Sequence, residues 1–403
     1  MNTPKIRFKG FTDDWEQRKF KELCDMVTVG IANSATHAYS DSGVVMFRNQ
    51  NIKPNFLDDT DIIHINSEFE VKYKNKRLKK NDLLVARTGY PGTACVVPEK
   101  YENSQTFTTL IARPNENVDP YFLCQYLNSD IGIKYFESTQ IGGGQKNSGA
   151  GILNEMPVTL PSTIEEEKKI GDYFRILDHL ITLHQRKCDE TKQLKKFMLQ
   201  KMFPKNGEKN PEIRFEGFTD DWEQRKFSEL YAKSSEKNDG SIGMDKNITV
   251  ATMQFKEDVK VSTAEYLKTY YTFNLGDIAF EGHQSKEFRY GRFVENDIGN
   301  GIVSHIFAVF RPIREYDLHF WKYAINNEAL MQRILSRSTK ASTMMHDLVT
   351  NDFLNETFLV PSLDEQRRIG VFLDTLDHLI TLHQRKCEKL KELKKFMLQN
   401  MFV

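Results

Sequence analysis

The chain repeats two long phrases of its own sequence, and this duplication constrains its fold more than any other feature. Residues 6–20 read IRFKGFTDDWEQRKF, and residues 213–227 repeat them with one change, Lys9 to Glu216. Residues 177–203 and 376–402 match at 22 of 27 positions. We name the first pair the head phrases and the second pair the tail phrases. Internal repeats of this kind indicate one structural unit that is built twice along the chain.

The repeated phrases divide the chain in a fixed order: head phrase, middle segment, tail phrase, and then the same order again. Between the halves, the stretch PKNGEKN is polar and contains proline and glycine, which is typical of a linker. The order predicts a first domain over 1–160, a helix over 161–203, the linker over 204–210, a second domain over 211–360 and a second helix over 361–403.

The two middle segments, residues 24–160 and 231–360, are similar in length but share little sequence. Both contain short runs of β-forming residues and, late in the segment, one helical stretch, over 120–136 and 319–335. We therefore predict two tandem domains of the α/β or α+β class, which share one architecture and carry different surfaces.

The helices that contain the tail phrases have apolar positions spaced alternately by four and three residues, which predicts a coiled-coil seam. About 39 helical residues would form a rod of about 58 Å. Because such a helix must bury its stripe, we expect the two to form an antiparallel coiled coil and a pseudo-two-fold internal repeat. Thr191 takes the place of Leu390 in the first copy. The predicted seam comprises Ile170, Phe174, Leu177, Ile181, His184, Cys188, Ile369, Leu373, Leu376, Ile380, His383, Cys387 and Leu390.

Composition limits the class of partner and the compartment. The 56 basic and 56 acidic residues give a net charge of zero, unlike a strongly basic nucleic-acid-binding protein. The charge is uneven, because residues 72–87 hold seven basic residues and one acid, Asp82. The five cysteines are scattered without a CxxC pair, which favours reduced thiols in a cytoplasm. No apolar run approaches the roughly 20 residues that span a membrane, so we expect no membrane partner.

The duplicated halves, each with a variable middle segment followed by a pattern such as PSLDEQRRIG at 361–370 and LDHLITLHQRK, resemble the specificity subunits of type I restriction-modification systems. The resemblance covers essentially the whole chain and includes NDLLVARTGYPG at 81–92 and LGDIAFEGHQ at 275–284. Two departures stand out. The first helix has Glu167 where the second has Gln366, and the second half lacks the Arg-Thr-Gly of the first.

The resemblance implies two target-recognition domains, each of which reads one part of a bipartite target in double-stranded DNA. The paired helices would set the spacing between the domains and dock two methyltransferase subunits as well as restriction subunits. Catalysis is expected in those partners, together with S-adenosylmethionine, ATP and magnesium. No catalytic residue, cofactor or metal is expected in this chain.

Candidate DNA contacts follow from this resemblance and from residue type, because basic side chains suit phosphates and amides suit base edges. A solvated basic loop is the alternative for the run over 72–87. The candidates are Lys72, Lys74, Lys76, Arg77, Lys79, Lys80, Arg87, Thr88, Gln145, Lys146, Asn147, Gln284, Lys286, Arg289, Arg292, Lys340 and Ser342.

Two repeated features are interpreted as packing rather than as binding sites. Trp15 and Trp222 lie in the head phrases, and two domains that read different bases should not share their readers. His184 with Cys188, and the equivalent pair in the second half, have a spacing that could suit zinc. We favour packing for them, because cysteine behaves as a small apolar residue and the resemblance implies no metal.

Two other functions stay open from the sequence alone. A coiled-coil assembly protein whose heads do not bind DNA is compatible with the repeats, and the basic run weighs only mildly against it. A DNA methyltransferase would need a cofactor loop and a base-binding motif, but NVDPYF at 117–122 lacks the second proline of such a motif. The stretch GGGQKNSG at 142–149 also lacks the spacing of a phosphate-binding loop.

Overall fold

The computed structural model describes residues 3–33, 35–139, 149–205, 207–257, 263–342 and 345–403. The chain forms two compact units. The first consists of Met1–Gln185 with Gln384–Val403, and the second of Arg186–His383. Each unit therefore holds one middle segment and a part of both long helices, a grouping that differs from the consecutive segments predicted from the sequence. Among the described residues, no helix has the length and apolar character needed to cross a membrane.

The described residues of the first unit form short strands and four short α-helices, and the unit includes the start of the first long helix. Its strands are β1 Glu16–Lys19, β2 Cys24–Val29, β3 Tyr39–Ser40, β4 Val44–Arg48, β5 Ile52–Lys53, β6 Phe56–Leu57, β7 Ile63–Ile65, β8 Leu83–Val85, β9 Ala94–Val96, β10 Gln105–Phe107, β11 Leu110–Pro114 and β12 Pro157–Leu160. Its helices are α1 Ser67–Val71, α2 Pro120–Leu127, α3 Asp130–Ser138 and α4 Ala150–Asn154, and the long helix α5 spans Ile164–Lys201.

The second unit has a similar but not identical series of elements in its own middle segment. Its strands are β13 Glu223–Lys226, β14 Tyr231–Ser234, β15 Ile248–Thr249, β16 Gln254–Phe255, β17 Tyr271–Phe273, β18 Ile278–Glu281, β19 Arg292–Glu295, β20 Gly301–Val303, β21 Ala308–Pro312, β22 Thr339–Ala341, β23 His346–Leu348 and β24 Thr357–Val360. Its helices are α6 Phe227–Leu230, α7 Ala264–Leu267, α8 Leu318–Ala324, α9 Glu328–Ser338 and α10 Thr350–Asn355, and the long helix α11 spans Leu363–Met401.

The two units share a frame of antiparallel strands. Four strands lie in the order β2-β11-β8-β9 in the first unit and β14-β21-β18-β19 in the second. The head-phrase strand pairs with the strand that precedes the long helix, β1 with β12 and β13 with β24. The remaining strands differ, because the first unit has a sheet of order β10-β4-β7-β3 where the second has separate two-stranded pairs. The predicted architecture of equal frames with different middle segments is confirmed.

The single helical stretch predicted late in each middle segment is wrong, because each stretch forms two helices. In the first unit α2 ends at Leu127, and the side chain of Ser129 accepts a hydrogen bond from the Gly132 backbone to begin α3. In the second unit Asn327 caps the start of α9 in the same way. Serine and asparagine compete for backbone hydrogen bonds in a helix interior and favour its N-terminal cap, so the chain turns at these positions.

The two long helices have the predicted lengths, 38 and 39 residues. Within the first unit, the Cys387 thiol lies 3.9 Å from the Ile181 carbonyl oxygen, while Lys394 Nζ lies 2.5 Å from Asp178 Oδ1. Residue numbers thus rise on one helix as they fall on the other, so the segments run antiparallel. Within the second unit, Cys188 reaches the Ile380 carbonyl oxygen in the equivalent contact.

The predicted seam packs not only between helices but also onto the globular part of each unit. Ile170, Phe174 and Leu177 are buried in the core of the first unit, together with Phe402. Ile369, Leu373 and Leu376 are buried in the core of the second unit, together with Phe203 and Met202. Cys188 and Cys387 are also buried. The seam therefore joins each middle segment to the helices, which a coiled-coil pattern alone does not reveal.

The head phrases fasten the start of each long helix. In the first unit Nε and one terminal nitrogen of the Arg7 guanidinium donate to the buried carboxylate of Glu166, at 2.7 and 2.8 Å. In the second unit Arg214 binds Glu365 at the same two distances. The ring of Trp15 packs edge-on against that of Phe122, with centroids 5.9 Å apart.

The second head phrase repeats this packing, since Trp222 meets Phe320 with centroids 6.0 Å apart. Both tryptophans are buried, so the predicted packing role is confirmed. The repetition of the phrase has a structural reason, because the start of each long helix is held by the same ion pair and the same aromatic packing.

The predicted linker packs onto the second head phrase. Pro204 is buried. Lys209 and Asn210 contact the carboxylate of Asp221 at 3.2 and 2.7 Å. Arg214 NH1 donates to Asn210 Oδ1 at 3.0 Å. Proline and glycine mark the turn as expected, and the polar side chains attach it to the second unit.

Candidate nucleic-acid interface

In the first unit, the loop between β8 and β9 presents an exposed aromatic side chain on a fixed backbone. The Arg87 backbone N–H donates to Asn49 Oδ1 at 2.7 Å, and the Gly92 N–H donates to the Ala86 carbonyl at 3.0 Å. Gly92 has a φ of 92°, and a Cβ there would meet Phe136 at 2.2 Å. Only glycine fits this position. Tyr90, at the tip of the loop, is 85% exposed.

This loop borders a cleft of about 850 Å³. Apolar walls come from Ile52, Phe107 and Tyr90, and the amide groups of Asn49 and Gln50 lie among them. Asn49 uses its own Nδ2 to contact Thr108, so its position is fixed from both ends. Aromatic faces and fixed polar groups beside an open cleft can stack on bases and bind their edges.

The predicted basic run over 72–87 does not form one patch. Lys79 and Lys80 lie at the entrance to β8, where they line a cavity with Ile164 and Lys168 of the long helix. Arg87 follows the other end of β8. Thr88, next to Arg87, lines the separate cleft beside Tyr90. The tertiary fold thus places the two ends of the run on different parts of the first unit.

Several cations of the run are bound to groups of the protein itself. Lys76 Nζ donates to the Gly30 carbonyl at 2.9 Å. Both ends of the Arg77 guanidinium bind the buried carboxylate of Glu70 at 2.7 Å, and this contact lowers the pKa of Glu70. Lys80 pairs with Glu99 at 2.7 Å.

Three lysines of the run, Lys72, Lys74 and Lys79, have exposed side chains. In the described part of the chain these side chains make no ion pair or hydrogen bond. They are the members of the run best placed to contact phosphates. The role of every residue in the run stays a prediction. Gln145, Lys146 and Asn147 lie outside the described residues.

In the second unit, the tertiary fold brings two separate groups of predicted residues together. The loop between β18 and β19 carries Gln284, Lys286 and Arg289, and the hairpin of β22 and β23 carries Lys340 and Ser342. The His346 backbone N–H donates to the Gly282 carbonyl at 2.8 Å. The backbones of His283 and Met345 form an isolated antiparallel β-bridge. A Cβ at Gly282 would meet the His346 carbonyl oxygen at 2.2 Å, so glycine permits this close approach.

The predicted residues of the second unit differ in their surroundings. Lys286 and Lys340 are exposed. The Ser342 hydroxyl donates to the Met345 carbonyl within the hairpin. The guanidinium of Arg292 binds Glu281 at 2.8 Å and the Ala251 carbonyl at 2.8 Å, so it is held inside the unit. None of these contacts tests a role in DNA binding.

Sequence reasoning missed the residues that hold both loops in place. Asn49 supports the first loop, and His346 supports the second. Neither residue lies in a motif, and each is remote in sequence from the loop it contacts. Tyr90 was visible in the glycine-rich turn RTGYPG, but its exposure and the adjoining cleft depend on contacts between distant strands.

Comparisons with known proteins agree with this architecture. The family model for the type I restriction modification DNA specificity domain matches residues 12–193 and again 219–392. The type I restriction enzyme MjaVIII specificity subunit of Methanocaldococcus jannaschii is 23% identical over 343 residues, 81% of this chain and 79% of that protein.

A second similarity, to the putative type I restriction enzyme MjaX specificity subunit of the same organism, is 24% identical over 217 residues. It covers 51% of this chain, and the chain spans about half of that relative, 49%. The crystal structure of the S subunit of a type I restriction-modification system from M. genitalium superposes with a TM-score of 0.62 at 13% identity, covering 100% of this chain and 99% of that one. This likeness concerns the fold.

Proposed function

The chain belongs to the family of type I restriction-modification DNA specificity subunits, and we propose that each of its two units binds one part of a bipartite target in double-stranded DNA. The observation that supports this most directly is the combination of two equal frames with two different exposed loops. In each unit the loop after the third frame strand, β8 or β18, presents polar and aromatic side chains from a backbone that is hydrogen-bonded to a distant segment. Different loops on equal frames suit different sequences.

Phosphate contacts would supply affinity and register, whereas contacts to base edges would supply sequence discrimination. In the first unit Lys72, Lys74 and Lys79 suit the former role because their charges are exposed. Thr88 and Tyr90 beside the cleft suit contacts to bases. The net charge of zero is compatible with this, since a local cationic surface is sufficient to bind the duplex.

The long helices offer a surface for further subunits. Leu194 and Phe197 are 43% and 46% exposed, and Leu393 and Phe396, at equivalent positions of the other helix, are 41% and 53% exposed. Exposed apolar residues on a helix favour an interaction surface. Because the surface occurs once in each unit, we propose that it docks two copies of one partner, the methyltransferase subunit. Restriction subunits would join this complex.

We propose that the chain has no catalytic activity of its own. Methyl transfer and DNA cleavage, with S-adenosylmethionine, ATP and magnesium, would belong to the partner subunits. The two alternatives, a scaffold with heads that do not bind DNA and a methyltransferase, differ from this proposal in outcome. A scaffold gives no target sequence, and a methyltransferase modifies DNA without a partner.

The test is a map of modified bases in a host that lacks other DNA methylation and expresses this chain with its methyltransferase partner. We expect a bipartite motif. Replacing residues 24–160 with the corresponding segment of a relative should change one part of the motif and preserve the other. The chain expressed without its partner should leave the DNA unmodified.

Three results would contradict the proposal. A swap that alters both parts of the motif, or neither, would exclude independent reading by the two units. Modification of a dispersed set of sites without any motif would favour the scaffold. Methyl transfer by the purified chain alone would identify it as an enzyme.

A further inference from the structure

An exposed glutamine in the second unit is held by a nearly buried histidine from a different part of the chain. Nε2 of Gln284, on the loop between β18 and β19, lies 2.9 Å from Nδ1 of His346, on the hairpin strand β23. His346 is only 7% exposed. An exposed glutamine ordinarily samples many rotamers, and fixing it costs conformational entropy when a ligand binds. Here the protein has already fixed it.

The histidine is itself fixed by an aromatic neighbour that also supports a cation. The ring of Tyr290 meets that of His346 edge-on, with centroids 5.4 Å apart. The guanidinium of Arg289 lies 5.6 Å from the centre of the Tyr290 ring, within the range of a cation–π contact. The backbone contact of His346 with Gly282 completes the arrangement. Gln284 and Arg289, both exposed, are thus presented by one set of packed rings.

The chemistry of the amide decides what Gln284 can offer to a ligand. An amide nitrogen donates and does not accept, so Nε2 must donate to an unprotonated Nδ1 of His346. The carbonyl oxygen Oε1 then has no partner among the described residues and stays available as an acceptor. A free glutamine can bind adenine through both ends of its amide. One whose Nε2 donates to a histidine still offers its carbonyl oxygen as an acceptor and keeps the second hydrogen of Nε2 as a donor.

We propose that Gln284 is a specificity-determining residue of the second unit, which reads one base pair in the major groove through Oε1, and that His346 is its positioning residue. The acceptor Oε1 fits an exocyclic amino group, which adenine and cytosine present in the major groove and guanine and thymine do not. The base that Gln284 contacts is therefore adenine or cytosine. Arg289, whose guanidinium packs on the Tyr290 ring, is the candidate for a contact to a neighbouring phosphate or base. This inference rests on the proposed function and assigns a residue to it.

The experiment maps modified bases in cells that express the full-length chain with its methyltransferase partner. For Gln284→Ala we expect one position of one half of the motif to relax, with roughly tenfold less discrimination there, while the other half is unchanged. His346→Phe keeps the ring packing against Tyr290 and removes Nδ1. It should relax the same position. A purely structural role for His346 would lower total modification and leave every base preference intact.

Gln224 provides a matched control. It is also an exposed glutamine of the second unit whose Nε2 is held by another side chain, Thr357 Oγ1 at 2.8 Å, but it lies in the shared frame strand β13. Gln224→Ala should preserve the motif. If the parent chain gives a bipartite motif and Gln284→Ala retains every position of it, this inference is wrong and the proposed function stands. If the parent chain gives no motif, the proposed function itself fails.

Discussion

Two adjacent carboxyl groups at the start of α5 have opposite electrostatic surroundings. Glu166 is paired with Arg7, whereas Glu167 is buried and forms no ion pair with the described residues, and its Oε2 accepts a hydrogen bond from the Asp119 backbone N–H at 2.8 Å. Burial raises the pKa of Glu167 to about 8, and the hydrogen bond opposes this rise only in part. In the second unit Gln366 occupies the equivalent position and accepts from the Asp317 N–H at 3.2 Å. Glu167, when protonated, is therefore equivalent to the glutamine of the other half.

Glu167→Gln should remove a pH dependence of stability. Between pH 4.5 and about 8 the folded state keeps the proton of Glu167 that the unfolded chain has released, so this group lowers the free energy of unfolding as the pH rises. At pH 8 the substitution should raise the free energy of unfolding by on the order of 3 kcal/mol. At pH 4.5 it should change the free energy of unfolding little. Urea unfolding at the two pH values measures the difference. Gln366→Glu should introduce the same dependence into the second unit, and an equal gain at both pH values would contradict the argument.

Removing one partner of a head-phrase ion pair should lower the free energy of unfolding strongly, whereas replacing both partners by apolar residues should lower it little. Glu166 is fully buried, so Arg7→Met leaves an unpaired charge in the protein interior and should cost about 3–5 kcal/mol of unfolding free energy. The double substitution of Arg7 and Glu166 by methionine should recover most of this loss.

Hydrogen exchange measured by mass spectrometry reports the two units separately. Arg7→Met should therefore loosen the first unit, and Arg214→Met should loosen the second. Equal losses from the single and the double substitutions would show that the charge pair is not the source of the effect.

At the scale of the elements, each long helix carries side chains for several neighbours at once. Asp178 of α5 binds Lys394 at 2.5 Å and Gln125 of α2 at 3.0 Å. In the second unit the equivalent Asp377 binds Lys195 at 2.6 Å and the hydroxyl of Tyr323 at 2.6 Å. One aspartate thus links the helix pair and the globular part of its unit, and the sequence around it is repeated because both units need this junction.

The exposed apolar residues of the helices give a prediction for the assembly. Leu393→Ser with Phe396→Ser alters the docking surface of the first unit alone and should reduce the number of bound methyltransferase subunits from two to one. Adding Leu194→Ser and Phe197→Ser to this variant should abolish binding, because the apolar area that drives association is then lost from both units. Native mass spectrometry of the complex measures the stoichiometry.

Ile176 provides the control for this surface. It is 57% exposed on α5, the helix that also carries Leu194 and Phe197. Thr375 takes its place in the other copy, so the exposed apolar position is not repeated. Ile176→Ser should retain both partner copies. Loss of a copy from this variant, or retention of both copies by the variant of Leu393 and Phe396, would place the docking surface elsewhere.

At the scale of the whole molecule, each unit is completed by residues from a distant part of the chain. The core of the first unit includes Met401 and Phe402, and Leu390 packs against it. The core of the second unit includes Met202 and Phe203. These two pairs of core residues occupy equivalent positions of the two tail phrases. The helix end that completes the first unit could therefore be supplied by the other tail phrase.

A fragment of residues 1–203 should consequently form a homodimer in which each copy supplies the helix end that the other lacks. The dimer should be weaker than the natural pairing, because Thr191 stands where Leu390 packs, and Thr191→Leu should strengthen it by about 1–2 kcal/mol. Sedimentation measures the association. With the methyltransferase, the dimer should modify an inverted repeat of the first half-site. A fragment that stays monomeric at tens of micromolar, with its helix unfolded, would show that the tail phrases are not interchangeable.

The sequence alone determined the duplication, the two long helices and the family. The reason is that these features depend on local spacing: a heptad pattern predicts a helix of nearly the observed length, and the repeated phrases predict equal frames. The burial of the tryptophans also followed, because residues shared by two different readers are more plausible as packing than as contacts. The sequence did not predict that each late helical stretch splits into two helices, because the asparagine and serine caps within it are weak signals beside an apolar pattern.

Only the tertiary structure decided which residues form each unit and which side chains stand together at each loop. Phe402, near the end of the second long helix, is part of the core of the first unit. Gln284 is hydrogen-bonded to His346, 62 residues further along the chain. Such contacts join segments that are remote in sequence, so no local pattern records them. The basic run shows the same limit, because its charges are consecutive in sequence, yet Arg77 faces a buried carboxylate while Lys72 and Lys74 face solvent. Charge is a property of the residue, whereas its availability to a ligand depends on the neighbours that the fold provides.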